Sequence, residues 1–380
     1  MPQHRGAGPN GPLVAPQWRA VCDPIPQSTA DGRGRPGQGV ARMRIVTNTK
    51  WFEGRAMNGA PVETRYISRS ALSGGIREFL RLRSWDAAVL NVAPHDVFAF
   101  CLLKRLFPSS RLRIVCVDLV LPPPRNVLEW AKARLVRWLL RAVDLFVFYC
   151  RDTARLRVIY GLPAEKIRYV PFKVNDYQEI LTTPTSDAGY VLSCGRSYRD
   201  YVTLCKALEG LPYSARILVT PDELAGNGSE LDLRSVPANI TVVTDDGSSR
   251  SWREWIAHAK LVVLPISPDV LAPAGISTYL VAMALGKCVI ISDSPATRGI
   301  LKDGEQAVVV PPADPALLRA AVVKASEDAD HRARIAQAGR EYALSLRDED
   351  RLADDIVHEV TRAIGRERRQ PGRLASLPES

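Results

Sequence analysis

The segment Ala274-Gly275-Ile276-Ser277-Thr278 is a small-residue turn that opens a helical run over 279–285. Such a start leaves backbone N–H groups at the positive end of the helix dipole, which is a place for a phosphate. The same residues also suit an ordinary N-cap at the head of a core helix. A second candidate is the pair Arg196 and Arg199, which follows the apolar run 190–194 and Gly195. Guanidinium forks bind diphosphates through paired hydrogen bonds, and ligands gather at strand C-termini in open α/β sheets. Two solvated loop arginines are the alternative. Ser73-Gly74-Gly75 opens another helix and reads as a tight turn with a cap. His95 stands just past the apolar run 87–92; a lone His at a helix start also serves as a cap or a surface residue.

These residues need a scaffold of alternating strands and helices. Apolar, β-branched runs predict strands over 44–48, 61–68, 87–92, 113–120, 144–149 and 168–171. Helices fall between them, over about 76–83, 95–107, 126–142 and 151–160. Strands recur over 189–196, 215–221, 240–244, 261–265 and 288–293, with helices over 198–211, 248–259 and 279–285. Gly286 stands where a helix C-terminus favours a left-handed residue. Terminal helices are predicted over 314–327 and 329–366. The alternation of strands and helices points to doubly wound parallel sheets. Periodicity lapses before residue 189, so the reading is a domain over 43–172, a linker over 173–188 and a second domain over 189–345. Residues 1–42 are rich in Gly, Pro, Gln and Arg and are expected to be disordered, as is the tail 368–380. Met43 directly precedes the first strand and is a candidate for the biological start.

One passage carries a family resemblance. Helix 279–285 leads into Gly286-Lys287-Cys288-Val289-Ile290, then Lys302-Asp303-Gly304 and Val308-Val309-Val310-Pro311-Pro312-Ala313-Asp314-Pro315. This order resembles the donor domain of the two-domain retaining glycosyltransferases of the GT-B fold. Tyr160-Gly161-Leu162-Pro163-Ala164-Glu165-Lys166-Ile167 resembles the passage that closes their first domain. The resemblance implies two Rossmann-like doubly wound domains facing an interdomain cleft, with a terminal helix over 346–367 crossing back to the first. It implies that Arg196 grips the donor diphosphate, with Arg199 replacing the usual Lys, beside Gly275, Ile276, Ser277 and Thr278. It implies an acceptor-side role for Gly74 and Gly75 and contact of His95 with the transferred sugar. The sequence departs from the family at two carboxylates that hold ribose and sugar. Val281 occupies one position and Ala272 or Pro273 the other; Asp269 is the nearest substitute.

Composition narrows the partners. The chain has 380 residues and a net charge of +10. Residues 104–168 hold 14 Lys/Arg against 5 Asp/Glu, so the basic character is local and faces anions. No zinc-finger, helix-turn-helix or stacking-aromatic pattern accompanies it, which argues against nucleic acid. In helix 126–142, Val127, Ala131, Leu135, Trp138 and Ala142 share one face, while Arg134, Arg137 and Arg141 share another. This suits either a helix lying on an anionic membrane surface or a packed helix with a solvated basic edge. No apolar run reaches the roughly 18 residues of a spanning helix. Seven cysteines without metal-ligand spacing read as reduced core thiols of a cytoplasmic protein. No metal or cofactor is expected. The implied activity is transfer from a UDP- or GDP-sugar to a glycan, lipid-linked or small acceptor. A non-catalytic binding subunit and a nucleotide-sugar epimerase are the alternatives. A dinucleotide-dependent dehydrogenase is disfavoured, because no Gly-x-Gly-x-x-Gly follows the first strand.

Overall fold

The computed structural model describes residues 42–57, 59–67, 75–220 and 231–368. The expected N-terminal extension up to residue 41, the tail from 369 and Gly74 lie outside the described residues. The first domain begins with strands β1 (Met43–Thr47), β2 (Ala56–Met57) and β3 (Ala60–Tyr66) and helix α1 (Gly75–Leu82). It continues through β4 (Ala87–Asn91), α2 (Pro94–Leu106), β5 (Arg113–Val117) and α3 (Val127–Leu140). β6 (Leu145–Phe148), α4 (Ala154–Tyr160) and β7 (Ile167–Tyr169) complete it. Its sheet has the order β2-β3-β1-β4-β5-β6-β7, and every pair is parallel except the hairpin β2–β3.

The connection holds a short helix, α5 (Tyr177–Thr182), where the sequence predicts irregular chain. The second domain follows with β8 (Tyr190–Ser193), α6 (Tyr201–Leu208), β9 (Ser214–Val219), β10 (Ile240–Thr244) and α7 (Ser249–Ala257). Then come β11 (Leu261–Leu264), α8 (Ile276–Ala284), β12 (Cys288–Ser292) and β13 (Val308–Val310). Its sheet, β10-β9-β8-β11-β12-β13, is parallel throughout. The chain ends in α9 (Pro315–Glu327), α10 (Ala329–Leu346) and α11 (Glu349–Arg368).

The central strands are apolar at consecutive positions because both faces of each sheet are covered. Period-2 geometry then divides their side chains. Val289 and Ile291 of β12 join one core and Cys288 and Ile290 another; Ala87 and Val89 of β4 part likewise from Ala88 and Leu90. One core is continuous through both domains and includes α8 and α11. Leu271, on the loop before α8, inserts into the other core of the first domain.

The predicted single helix over 329–366 breaks at Arg347, which adopts φ 60°. The Arg347 carbonyl accepts from Val174 N at 2.9 Å, so the linker holds the chain where it turns. Beyond the break α11 packs on the first domain. Arg55 reaches Asp350 at 3.1 Å and Asp354 at 2.7 Å, and Lys173 reaches Glu349 at 2.6 Å.

Candidate active site between the two sheets

A cavity of about 530 Å³ lies between the C-terminal edges of the two sheets. The second domain supplies most of its wall through three loop-to-helix junctions. The first junction is the loop after β8. Gly195 has φ 105°, and a Cβ added there would lie 2.1 Å from the nearest Arg199 nitrogen and 2.9 Å from Thr278 Oγ1. Only glycine lets this loop lie against the start of α8. The second junction is the start of α8 itself. Gly275, the N-cap, has φ 93° and offers no side-chain cap, so the first amides of α8 are left for another acceptor. Ile276, Ser277 and Thr278 thus belong to the first turn of α8 rather than to a loop before it. The third junction is the start of α7, where Asp245, Gly247, Ser248 and Trp252 reach the cavity.

The two sequence-predicted arginines are used differently. Arg196 is exposed at the cavity wall, with one guanidinium nitrogen 3.5 Å from the Gly247 carbonyl oxygen. Arg199 is only 2% exposed. It donates to the Cys194 carbonyl at 2.9 Å, to the Ser197 carbonyl at 2.9 Å and to Thr278 Oγ1 at 3.2 Å. Arg199 therefore ties the β8 loop to the first turn of α8, and its charge sits behind that turn. Across the cavity Asn175 of the linker donates to Ser277 Oγ at 2.7 Å, so the interdomain connection touches the same turn.

The first domain contributes two strand ends in unusual backbone conformations. Val92, after β4, has φ 46°, and Asp118, after β5, has φ 49°. A β-branched residue at positive φ is strained, and such strain is retained where the surroundings enforce it. Val92 N donates to the Val117 carbonyl at 3.1 Å and Asp118 N to the Val147 carbonyl at 2.9 Å, which fixes both turns to neighbouring strands. Both residues line the cavity. Asp118 keeps some surface there, but its Oδ1 is buried and has no hydrogen-bond partner among the described residues. Burial pushes its carboxyl from 3.8 up to about 6. The other carboxylate in the wall, Asp245, is engaged: Oδ2 accepts from Gly247 N at 3.2 Å and Oδ1 from the Ser251 hydroxyl. Tyr149 and Phe172 form an aromatic floor, with ring centroids 4.7 Å apart.

The remaining sequence-predicted residues stand apart. His95 is exposed near the start of α2, Asp269 is exposed on the loop before α8, and neither is in the cavity wall. Gly75 opens α1. Val281 is buried in the core, 1% exposed, while Ala272 and Pro273 line the cavity. Asp118 was missed in the sequence, although it ends the run Arg113-Ile114-Val115-Cys116-Val117, the same strand-end signal that singled out Arg196. Among the described residues no group of three or more His, Cys, Asp or Glu is placed to hold a metal ion.

The family model described as glycosyl transferases group 1 matches residues 236–342, from just before β10 into α10, which include α7 and α8 but not the loop after β8. None of the curated proteins compared matches the sequence. Among solved structures, HepE of Anabaena in complex with UDP and glucose superposes with a TM-score of 0.58 at 15% identity, over 80% of this chain and 86% of that one. A glycosyltransferase from Rickettsia africae gives 0.57 at 11% identity, over 80% and 85% of the two chains. Sucrose-phosphate synthase from Thermosynechococcus elongatus gives 0.57 at 16% identity, over 82% and 83%. Two parallel-sheet domains closing on one cleft give this chain the GT-B fold of the glycosyltransferases, with a second domain that matches glycosyl transferases group 1.

Proposed function

We propose that the protein transfers a sugar from a nucleotide-diphosphate sugar to a hydroxyl acceptor. The observation that carries this reading is the uncapped start of α8, held against the β8 loop by two glycines in left-handed conformations and open to the cleft. The diphosphate would accept from the amides of Gly275 to Thr278 and from Arg196, with Arg199 adding charge from behind. As the bond from the anomeric carbon to the diphosphate breaks, the electron pair leaves on the diphosphate oxygen. Preorganised donors aimed at that growing charge lower the barrier most. These donors would do the neutralising without a metal. The acceptor oxygen then bonds the anomeric carbon from the face the diphosphate leaves, and its proton passes to the departing phosphate oxygen. Configuration is retained by that route.

Asp118 takes the sugar-side role expected of His95 or Asp269, which lie outside the wall. Ionised, it would accept a hydroxyl of the transferred sugar and stabilise positive charge growing at the anomeric carbon. The base would lie toward Asp245 and Trp252, and UDP is the first nucleotide to test, since HepE is bound to UDP in its structure. The acceptor would enter from the first domain, beyond Val92 and toward the start of α1 at Gly75. We place the enzyme in the cytoplasm, in keeping with the six buried free thiols among the described residues. A second reading, donor binding without turnover, is favoured by the buried Val281 and by Ala272 and Pro273 where the family has carboxylates. Calorimetric titration with UDP, GDP, ADP and their sugar conjugates tests the donor site. Arg196→Ala should weaken the one nucleotide that binds by on the order of 2 kcal/mol, the worth of a hydrogen bond to a charged group. Failure of every nucleotide to bind the folded protein would remove the proposal. Slow release of free sugar from the bound donor separates the enzyme from the binding subunit.

A further inference from the structure

Helix α3 covers its sheet with a narrow face: only Ala133, Leu139 and Leu140 are buried along it. The stripe that the sequence offers as apolar is left in solvent. Val127 is 87% exposed, Leu135 58% and Trp138 41%, and Leu128 beside them 65%. The patch runs on to the neighbouring helix α2. There Arg105 stacks 4.3 Å from the Trp138 ring and donates to the Trp138 carbonyl at 2.6 Å. Leu102 and Leu106, three residues before and one after Arg105, are 43% and 60% exposed. A contiguous apolar surface of this kind marks an interaction site.

Charge selects the occupant. Residues 125–141 hold five Lys/Arg against one Glu, and Lys132, Arg134 and Arg141 are exposed beside the apolar stripe. A second copy of the chain would bring like charges together across a two-fold interface. An anionic bilayer offers acyl chains for the leucines, headgroup depth for the tryptophans, and negative charge for the arginines. We propose that the α2–α3 face docks the protein on an anionic lipid surface. Topology sets the orientation. α3 begins nine residues past Asp118, through a segment whose Val120 also lines the cleft, so Val127 and Leu128 stand at the cleft edge of the sheet. Docked there, the cleft opens beside the lipid, and a lipid-anchored acceptor is the substrate class within reach; that consequence rests on the glycosyl-transfer reading.

The test is co-sedimentation of the full chain with vesicles of phosphatidylcholine alone and of phosphatidylcholine mixed with phosphatidylglycerol. Binding should favour the mixed vesicles and weaken with added salt. Leu128→Glu with Leu135→Glu should reduce it at least about ten-fold, and Lys132→Glu with Arg134→Glu similarly, since each cation near the surface contributes about 1 kcal/mol. Both pairs are exposed, so the melting temperature and nucleotide binding should hold, which separates loss of docking from loss of the donor site. No binding by the intact chain, or undiminished binding by both variants, overturns the proposal. A dimer of the intact chain abolished by the leucine variant would assign the face to a second copy and also overturn it.

Discussion

At the scale of single residues, Asp118 combines strain, burial and an unused acceptor atom. Each of these costs stability, and among the described residues no hydrogen-bond partner of Oδ1 offsets the burial. A buried carboxyl that keeps its proton longer in the folded chain than in the unfolded one contributes stability that is present at low pH. That contribution is lost as the pH rises from the ordinary 3.8 through the folded value of about 6. Above that window the native protein carries a desolvated carboxylate. Asp118→Asn should therefore raise stability at pH 8 by on the order of 1 to 3 kcal/mol, and make little difference below pH ~4. The same substitution should lower kcat/KM by about 100-fold or more, since it removes a charge aimed at the reacting carbon. Wild-type activity should rise with pH through about 6 as the carboxyl ionises. Thermal melts and initial rates across this range check both sides; a variant that is neither more stable nor less active would remove Asp118 from the site.

At the scale of elements, the contact between the β8 loop and α8 depends on an absent side chain. Gly195→Ala must place a methyl 2.1 Å from an Arg199 nitrogen, in a backbone region costing about 1–2 kcal/mol for any L-residue. Arg199 would have to leave its carbonyl partners and Thr278, loosening the turn that receives the diphosphate. Gly210 also has positive φ, 69°, but a Cβ there meets nothing within 4 Å. Gly210→Ala should cost stability alone, whereas Gly195→Ala should weaken nucleotide binding about ten-fold as well, on the scale of one charge-assisted hydrogen bond. Calorimetry on the two variants distinguishes backbone strain from lost positioning, and equal affinities would show that the loop tolerates displacement. The pattern also explains how much of this site was legible in the sequence. Strands such as β10 and β11 and the α8 start announce themselves through apolar runs and a small-residue turn. α5 does not: it has six residues, and its N-cap Asp176 sits at φ 51° without a side-chain cap. Its Tyr177 hydroxyl donates to the Leu344 carbonyl of α10 at 3.4 Å and its Ile180 enters the shared core, contacts that no local pattern encodes. The break at Arg347 carries no Gly or Pro; Val174 N holds its carbonyl from the linker, and Asp348 accepts from Arg351 N at 3.3 Å to cap α11. Nor does the commitment of Arg199 to carbonyls, or the isolation of Asp118, follow from spacing; both arise only when distant strand ends meet.

At the scale of the whole molecule, α11 joins the two domains through one core. It leaves the second domain and lays Leu352, Ile356, Val360 and Ile364 into the core shared with the first. It also offers visible ion pairs, Arg55 with Asp350 and Asp354, whose acids are 87% and 65% exposed. Magnitudes decide which holds the helix. Exposed pairs contribute about 0–1 kcal/mol each, while truncating a buried Ile to Ala costs about 2–5 kcal/mol through lost burial and a residual cavity. Ile356 is 0% exposed, so Ile356→Ala should fall in that range and lower the melting temperature of the whole chain in one transition. Asp350→Ala with Asp354→Ala should cost less than about 1 kcal/mol in total, and that cost should vanish in high salt. Denaturant titration of the three proteins separates these expectations. If the double aspartate variant lost more than the isoleucine variant, the charges rather than the apolar seam would carry the crossing. If Ile356→Ala split unfolding into two transitions, the seam would be what couples the halves of the cleft, and donor affinity should fall with it.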